Sequence, residues 1–244
     1  MQYGMIGLGR MGANMARRLL RGGHEGVVSN RSSGPIEQLE AEGAVGARSL
    51  GELVERLKTP RAVWVSLPAG EVTENTLNQL APLLTRGDVI VESGNSFYKD
   101  TIRRAAQLKE RGLDLLDQGT SSGVWGLENG FCLMIGGARA SFERLEPAFK
   151  TLAPPDGYLH TGPSGSGHFV KMVHNGIEYG MLQAYGEGFE LLKSSDFDAL
   201  DLRAISHLWN QGSVVRSWLL ELAERAFSQF EKPRTNDAAL IPQM

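Results

Sequence analysis

The first 160 residues alternate short apolar runs with longer stretches in which apolar positions recur every three or four residues. Short apolar runs between turn-forming residues predict buried strands, and the recurring pattern predicts amphipathic helices. The predicted strands cover residues 2–6, 25–30, 61–67, 88–93, 114–118 and 131–137. One predicted helix ends near residue 21, and the others span 35–42, 49–57, 71–84, 98–111 and 140–152. This alternation predicts a doubly wound, mostly parallel sheet with helices on both faces.

The pattern changes after a segment rich in turn-forming residues, PPDGYLHTGPSGSG at 154–167. Beyond residue 161 we expect no strand and three helices, at 167–193, 199–209 and 213–228. The polar end of the chain, which contains two prolines, has no usable periodicity and is predicted to be a loose tail. The sequence thus predicts an α/β domain at 1–160, an all-α domain at 161–228 and a tail at 229–244.

Composition narrows the possible partners and compartment. The chain of 244 residues is 41% apolar and 22% charged, as in ordinary globular proteins. Its net charge of −3 gives no reason to expect nucleic acid or a membrane surface as a partner. The single Cys132 excludes an intrachain disulfide and fits a reducing compartment, so we expect a cytoplasmic protein. We expect no signal peptide and no membrane span, because the start lacks a basic segment and no apolar run reaches about 18 residues.

Three glycines follow the first predicted strand in the spacing Gly7-x-Gly9-x-x-Gly12 and open the first helix. In a dinucleotide-binding loop, the first glycine permits a tight turn, the second lets the backbone approach a pyrophosphate, and the third lets helix and strand pack closely. The free N–H groups at the helix start favour phosphate. The alternative is a structural turn without a ligand. The motif favours a Rossmann-type α/β domain that binds a dinucleotide.

The end of the second predicted strand should distinguish NAD from NADP. The sequence there is SNRSS at 29–33, with no acidic residue to accept from a ribose 2′-OH. Arg31, flanked by hydroxyls, suits a 2′-phosphate through charge-assisted hydrogen bonds. NADP is therefore the expected cofactor, with NAD possible, unless Arg31 is an ordinary solvated arginine.

The stretch HFVKMVHNGIEYG, residues 168–180, carries four polar residues on one helical face: Lys171, His174, Asn175 and Glu178. At 100° per residue, Lys171 and Glu178 differ by only about 20° in direction and lie roughly 10 Å apart along the axis. A small substrate fits between them, with the imidazole and the amide midway. A salt-bridged surface stripe is the alternative.

Five ordered stretches resemble the 6-phosphogluconate dehydrogenases, most of all the short bacterial form, between about residues 3 and 225. They are MIGLGRMGANMARRLLRGGHE, GNSFYKDTIRR, GTSSGVWGLENGFCLMIGG, GHFVKMVHNGIEYGMLQAYGEGFELLK and NQGSVVRSWLL. A broader kinship is with β-hydroxyacid dehydrogenases. The resemblance implies oxidation of the C3 hydroxyl of 6-phosphogluconate, loss of CO₂ and formation of ribulose 5-phosphate, as in the pentose phosphate pathway and gluconate utilisation.

The resemblance also implies roles for individual residues. Lys171 would take the C3 hydroxyl proton and then polarise the carbonyl, so no metal is required, and Glu178 would protonate the enediol. The implied substrate contacts are Asn95, Ser121, Gly123, His174, Asn175, Tyr179 and Arg216. Arg216 would bind the phosphate; the alternative is an ordinary arginine on a helix surface. The expected cofactor contacts are Gly7, Gly9, Arg10, Met11, Gly12, Asn30, Arg31, Ser32, Pro68, Ala69 and Asn95.

The sequence departs from the family pattern in three ways. Ser122 replaces the second glycine of the substrate loop, where a Cβ would disfavour a positive φ. Ser93 replaces a glycine in ESGNS. Family members continue beyond RSWLL, so we expect a C-terminally truncated or frame-shifted member, or a natural minimal form, whose helical substrate and dimerisation domain is incomplete.

Three functions stay open. The chain is an NADP-linked, decarboxylating 6-phosphogluconate dehydrogenase, a dehydrogenase of another β-hydroxyacid, or a dinucleotide-binding remnant with an impaired site. Because little chain remains to cover the apolar side of helix 167–193, we expect a homodimer or a higher homo-oligomer.

Overall fold

The computed structural model describes residues 1–197 and 200–229. In these residues eight strands form one sheet. The strands are β1 Gln2–Ile6, β2 Glu25–Ser29, β3 Val45–Ala47, β4 Ala62–Val65, β5 Val89–Glu92, β6 Asp114–Ser121, β7 Cys132–Gly136 and β8 Tyr158–Gly162.

Ten α-helices lie within the same described ranges. They are α1 Arg10–Arg21, α2 Ser33–Ala41, α3 Leu50–Arg56, α4 Glu71–Leu80, α5 Tyr98–Glu110, α6 Gly126–Asn129, α7 Arg139–Leu152, α8 Ser166–Lys193, α9 Leu202–Trp209 and α10 Trp218–Gln229. None of them combines the length and apolar content needed to span a bilayer.

The strand order is β3-β2-β1-β4-β5-β6-β7-β8. Neighbouring strands from β3 to β6 are parallel, β7 is antiparallel to β6, and β8 is parallel to β7. The carboxyl ends of β1, β2, β4, β5 and β6 therefore meet at one edge. From β1 the strand order runs outward through β2 to β3, and the chain then returns to place β4 on the other side of β1. Open α/β sheets bind ligands at the point where the strand order reverses in this way.

Successive residues of the central strands pack on opposite faces of the sheet. Met5 and Trp64 belong to one buried apolar cluster, and their neighbours Ile6 and Val63 belong to another. Because side chains alternate along a strand, each cluster lies between one face and the helices that cover it. The predicted doubly wound α/β architecture is confirmed.

Two strands escape the prediction. β3 has three residues, one of them Gly46, so its apolar run is too short to stand out. β8 is the edge strand within the turn-rich segment 154–167, and its burial is only partial. The expectation of no strand beyond residue 161 is wrong by one residue, because β8 continues to Gly162.

The Cα positions divide the chain into two compact units, residues 1–173 and residues from 174 onward. The second unit begins inside α8 and contains α9 and α10. The predicted domain limits at 160 and 228 stay predictions. The predicted tail, 229–244, lies outside the described residues except for Gln229.

Packing in the second unit centres on Phe189 of α8. Its ring lies 5.8 Å from that of Trp209 and 4.9 Å from that of Phe227, measured between centroids. The last helix begins at Trp218 and not at the predicted residue 213. Ser217 explains the start, because its hydroxyl accepts from the N–H of Leu220 at 3.1 Å, as an N-cap does.

Candidate active site

The three glycines of the first loop each meet a different constraint. Gly7 has φ +90°, and a Cβ there would overlap the carbonyl oxygen of Ser66. A Cβ at Gly12 would overlap the carbonyl oxygen of Gly7, so α1 packs directly on the turn. Gly9 caps α1 and has open space where its side chain would be. A tight turn, an open approach to a helix start and a close helix contact together fit a pyrophosphate.

The loop after β2 is hydrogen-bonded to the glycine loop. The Asn30 side-chain oxygen accepts from the N–H of Leu8 at 3.0 Å, and its amide donates to the Ser32 hydroxyl at 3.0 Å. Arg31 is exposed and forms no hydrogen bond or ion pair within the described residues. Asn30 thus has a structural task in addition to any cofactor contact, while Arg31 can reach a ligand.

The other predicted cofactor contacts lie at the same sheet edge. Pro68 and Ala69 follow β4 and are exposed, and the Pro68 carbonyl accepts from the Thr73 hydroxyl at 2.8 Å. Asn95 is exposed in the loop after β5. On α1, Arg10 is exposed and Met11 packs half-buried against the apolar core.

The loop after β5 also accounts for the unusual ESGNS sequence. Ser93 is buried, and its hydroxyl donates to the carbonyl of Val65 at 3.3 Å, so this side chain fits where the resemblance implied a glycine. Glu92 is fully buried, lies 3.4 Å from the guanidinium of Arg104 and accepts from the Ser96 hydroxyl. The loop that carries Asn95 is therefore anchored beneath its surface.

The loop after β6 contains a strained residue. Ser122 has φ +110° and ψ −5°, and the following Gly123 has φ +51°. A φ of that sign is rare for a residue with a Cβ. The glycine expected at position 122 is thus the residue that this backbone favours, while Ser121 and Gly123 lie half-buried and exposed beside it.

Replacing Ser122 with glycine should stabilise the protein by roughly 1 kcal/mol. Relief of the backbone strain stabilises the folded state by about 1–3 kcal/mol. The greater freedom of glycine in the unfolded chain offsets about 0.5–1 kcal/mol of this. Urea unfolding measures the difference. Ser121→Gly is the matched control and should not stabilise, because Ser121 lies in β6 without a positive φ. A Ser122→Gly protein no more stable than the wild type would contradict the strain.

Lys171 lies where α8 contacts the end of β6. It is 8% exposed, and a Cβ on Gly119 would overlap the Cβ of Lys171. Gly119 is two residues before Ser121 in the same strand. The structure therefore brings the predicted base to the edge that carries the glycine loop and the substrate loop.

Three further residues, none of them predicted as a site residue from the sequence motifs above, fix the start of α8. The buried Asp117 carboxylate accepts from the N–H groups of Gly165 at 2.7 Å and His168 at 2.9 Å. The Nδ1 of His168 pairs with the Thr101 hydroxyl at 2.8 Å. Their only sequence signal is an acidic residue that follows two leucines in a strand, and a histidine about one turn before the lysine.

In the second unit, α8 carries the other polar residues of the predicted face. His174 Nδ1 lies 3.4 Å from a carboxylate oxygen of Glu178 and 3.4 Å from the side-chain oxygen of Asn175. Both members of the His174–Glu178 pair are partly accessible, while Tyr179 is 67% exposed. These groups can donate to and accept from a polyhydroxylated ligand.

Arg216 lies in the turn before α10 and not on a helix surface as the alternative assumed. It lines a cavity of about 650 Å³ in the second unit. The other lining residues are polar or small: His207, Asn210, Gln211, Gly212, Glu221, Glu224 and Arg225. Glu224 pairs with His207 at 2.9 Å. Arg216 thus faces a space large enough for an anionic group.

Family profiles match both parts of the chain. Residues 2–162 match the NAD binding domain of 6-phosphogluconate dehydrogenase, and residues 167–243 match the 6-phosphogluconate dehydrogenase C-terminal domain. Together these profiles cover nearly all of the sequence.

Individual proteins agree with the profiles. The NAD(+)-dependent, decarboxylating 6-phosphogluconate dehydrogenase of Haloferax volcanii is 47% identical over 94% of this chain and 76% of its own length. The NADP(+)-dependent, decarboxylating enzyme of Bacillus subtilis is 38% identical over 93% of this chain and 50% of its own. A Plasmodium falciparum 6-phosphogluconate dehydrogenase, solved with NADP+ and with 6-phosphogluconate, superposes with a TM-score of 0.86 at 29% identity, covering 93% of this chain and 51% of its own.

Proposed function

The chain belongs to the 6-phosphogluconate dehydrogenase family, and we propose that it catalyses the NAD(P)-dependent oxidative decarboxylation of 6-phosphogluconate to ribulose 5-phosphate and CO₂. The observation that carries this proposal is the burial of Lys171 against Gly119, beside Ser121 and at the sheet edge of the glycine loop. A buried amine at the sheet edge that also carries a dinucleotide loop is suited to take a proton from a hydroxyl group while that carbon is oxidised.

The glycine loop fits a dinucleotide. The open space at Gly9 leaves room for a pyrophosphate, and the start of α1 has N–H donors for it because no side chain caps the helix. When bound, the nicotinamide supplies the acceptor for the hydride from C3 of the substrate. Gly7, Gly9, Arg10, Met11, Gly12, Asn30, Arg31, Ser32, Pro68, Ala69 and Asn95 form the proposed contact set.

Lys171 is the proposed base of the first step and the electrophile of the second. In its neutral form the amine would take the proton from the C3 hydroxyl while the hydride leaves C3, and the two losses together give a 3-keto acid. The resulting ammonium donates a hydrogen bond to the C3 oxygen, and this withdraws electrons as the C1–C2 bond breaks and CO₂ leaves.

Glu178 is the proposed acid of the last step. Decarboxylation leaves an enediol, and protonation of its terminal carbon, the former C2, gives ribulose 5-phosphate. A carboxylic acid seven residues from Lys171 on one helix lies about two turns away, on nearly the same line. The pair of Glu178 with His174 at 3.4 Å gives it a route for regaining its proton.

The remaining polar residues are proposed substrate contacts. Asn95, Ser121 and Gly123 would meet the carboxylate and hydroxyls, His174 and Asn175 the hydroxyls, and Tyr179 the phosphate. Arg216 would hold the phosphate, because a guanidinium matches two phosphate oxygens at once. Its place in a polar cavity supports this role.

Steady-state production of NADPH or NADH with 6-phosphogluconate tests the proposal directly. Release of CO₂ and ribulose 5-phosphate in equal amounts should accompany it. The same assay with a panel of β-hydroxyacids that lack a phosphate tests the alternative substrate class. If none of them is oxidised, that class is excluded. A chain that binds NAD(P)+ but turns over no substrate would support the impaired-site alternative and overturn the proposal.

We expect Arg31 to favour NADP+ over NAD+. Its exposed guanidinium, beside Ser32, can bind a 2′-phosphate, so Arg31→Ala should weaken NADP+ binding by about 1.5–3 kcal/mol. NAD+ binding serves as the internal control and should change little. Fluorescence titration gives both dissociation constants. An unchanged NADP+ affinity in the variant would leave the 2′-phosphate without its proposed partner.

We also expect a homodimer that buries helical surface of each chain. On α8, Ile177, Tyr179 and Leu191 are 62%, 67% and 72% exposed, which is unusual for large apolar side chains on a long helix. Light scattering at micromolar concentration should give twice the mass of one chain. A monodisperse monomer would be evidence against this assembly.

A further inference from the structure

We propose that Asp117 and Gly119 are positioning residues that set where the Lys171 amine stands at the sheet edge. The inference rests on the proposed function only for what Lys171 does, since the contacts among these residues stand without it. Asp117 and Gly119 belong to β6, and Lys171 belongs to the second turn of α8.

Asp117 fixes the start of α8 along the strand. Its two carboxylate oxygens accept from different N–H groups, those of Gly165 and His168, at 2.7 and 2.9 Å. The carboxylate is fully buried and lies at the positive end of the helix dipole. These bonds are charge-assisted, so they hold the first turn of α8 in one register against β6.

Gly119 sets the distance between α8 and β6. A Cβ at this position would overlap the Lys171 Cβ and lie 2.8 Å from the carbonyl oxygen of Gly167. Neither atom is at the end of a flexible side chain, because one is a Cβ and the other a backbone oxygen of α8. The helix itself would therefore have to move. Gly167 meets the same limit from the other side, where a Cβ would overlap the carbonyl oxygen of Asp117.

These two contacts therefore fix the position of Lys171 in two directions. Asp117 sets its position along β6, and Gly119 sets its separation from β6. Ser121, the predicted substrate contact, is two residues farther along the same strand. Any shift of α8 changes the distance from the amine to the substrate loop, and a displacement of about 1 Å from productive geometry can cost about 10²-fold in rate.

Gly119→Ala is the first test, with Gly51→Ala as the matched control. A Cβ on Gly51 of α3 meets nothing nearer than the Ser49 hydroxyl at 3.9 Å. The readout is the pH-dependent rate of Lys171 acetylation by acetic anhydride, followed by peptide mass spectrometry. In Gly119→Ala this rate should rise at least about threefold, because the displaced helix exposes the amine to the reagent. The exposed Lys109 and Lys150 in the same samples should react as in the wild type.

Activity gives the second readout. With 6-phosphogluconate, kcat of Gly119→Ala should fall about 10- to 100-fold, while the Kd for NADP+ stays within twofold of the wild type. Because acetylation needs no turnover, an inactive wild type would defeat the proposed function and leave the positioning test intact. A folded Gly119→Ala protein with wild-type Lys171 reactivity would overturn the inference.

Asp117→Asn is the second variant and decides the matter if Gly119→Ala does not fold. The amide keeps the volume but has one acceptor oxygen, so one of the two N–H groups loses its partner. The Lys171 acetylation rate should change in the same direction by a smaller factor, with an unaltered rate at Lys109. Lys171 reactivity equal to the wild type in this variant would also overturn the inference.

Discussion

Lys171→Met should abolish substrate oxidation while NAD(P)+ still binds. The methionine side chain has nearly the same length and suits the buried site, but it cannot accept the C3 hydroxyl proton. General bases contribute about 10²- to 10⁴-fold, and loss of the electrophile for decarboxylation adds to this. Stopped-flow absorbance of the reduced nicotinamide measures the step. Loss of both roles at once makes this the largest effect that we expect from a single substitution.

The control for this prediction is Lys109→Met. Lys109 is 70% exposed and pairs with Asp114 at 2.8 Å, away from the substrate loop. It should retain activity and NAD(P)+ affinity. If Lys171→Met keeps most of the wild-type rate, the buried amine has a structural role only and the proposed mechanism fails.

The cofactor half of the site could be predicted from the sequence because its signals are local. Gly7, Gly9 and Gly12 lie within six residues, and each meets the constraint that its position in the motif implies. The strand before them and the helix after them were also evident from periodicity. Short-range turn chemistry and apolar patterns are encoded in neighbouring residues, so they can be interpreted without the sheet.

The substrate half depends on pairing between distant segments, which the sequence does not display. Asp117 and Gly119 gain their importance only when α8, about 50 residues later, packs on β6. β8 was hidden because an edge strand needs little apolar character. The departure at Ser122 was visible as a missing glycine, but its φ of +110° was not.

Glu178→Gln should separate the last chemical step from the first two. The variant should still oxidise and decarboxylate, because Lys171 is intact, but glutamine has no proton to give to the enediol. Tautomerisation should slow by about 10²- to 10⁴-fold, the usual contribution of a general acid. A rapid burst of reduced nicotinamide and CO₂ should precede slow appearance of ribulose 5-phosphate.

The matched control for Glu178 lies on the same helix. Glu190 of α8 is exposed, and Glu190→Gln removes a carboxylate of the same kind three turns farther on. It should show no burst and a normal steady state. Because glutamine can keep a hydrogen bond to His174, which lies 3.4 Å from the Glu178 carboxylate, a defect in Glu178→Gln would report the lost proton and not a lost contact. Equal rates of nicotinamide reduction and ribulose 5-phosphate release in Glu178→Gln would mean that another group protonates the enediol.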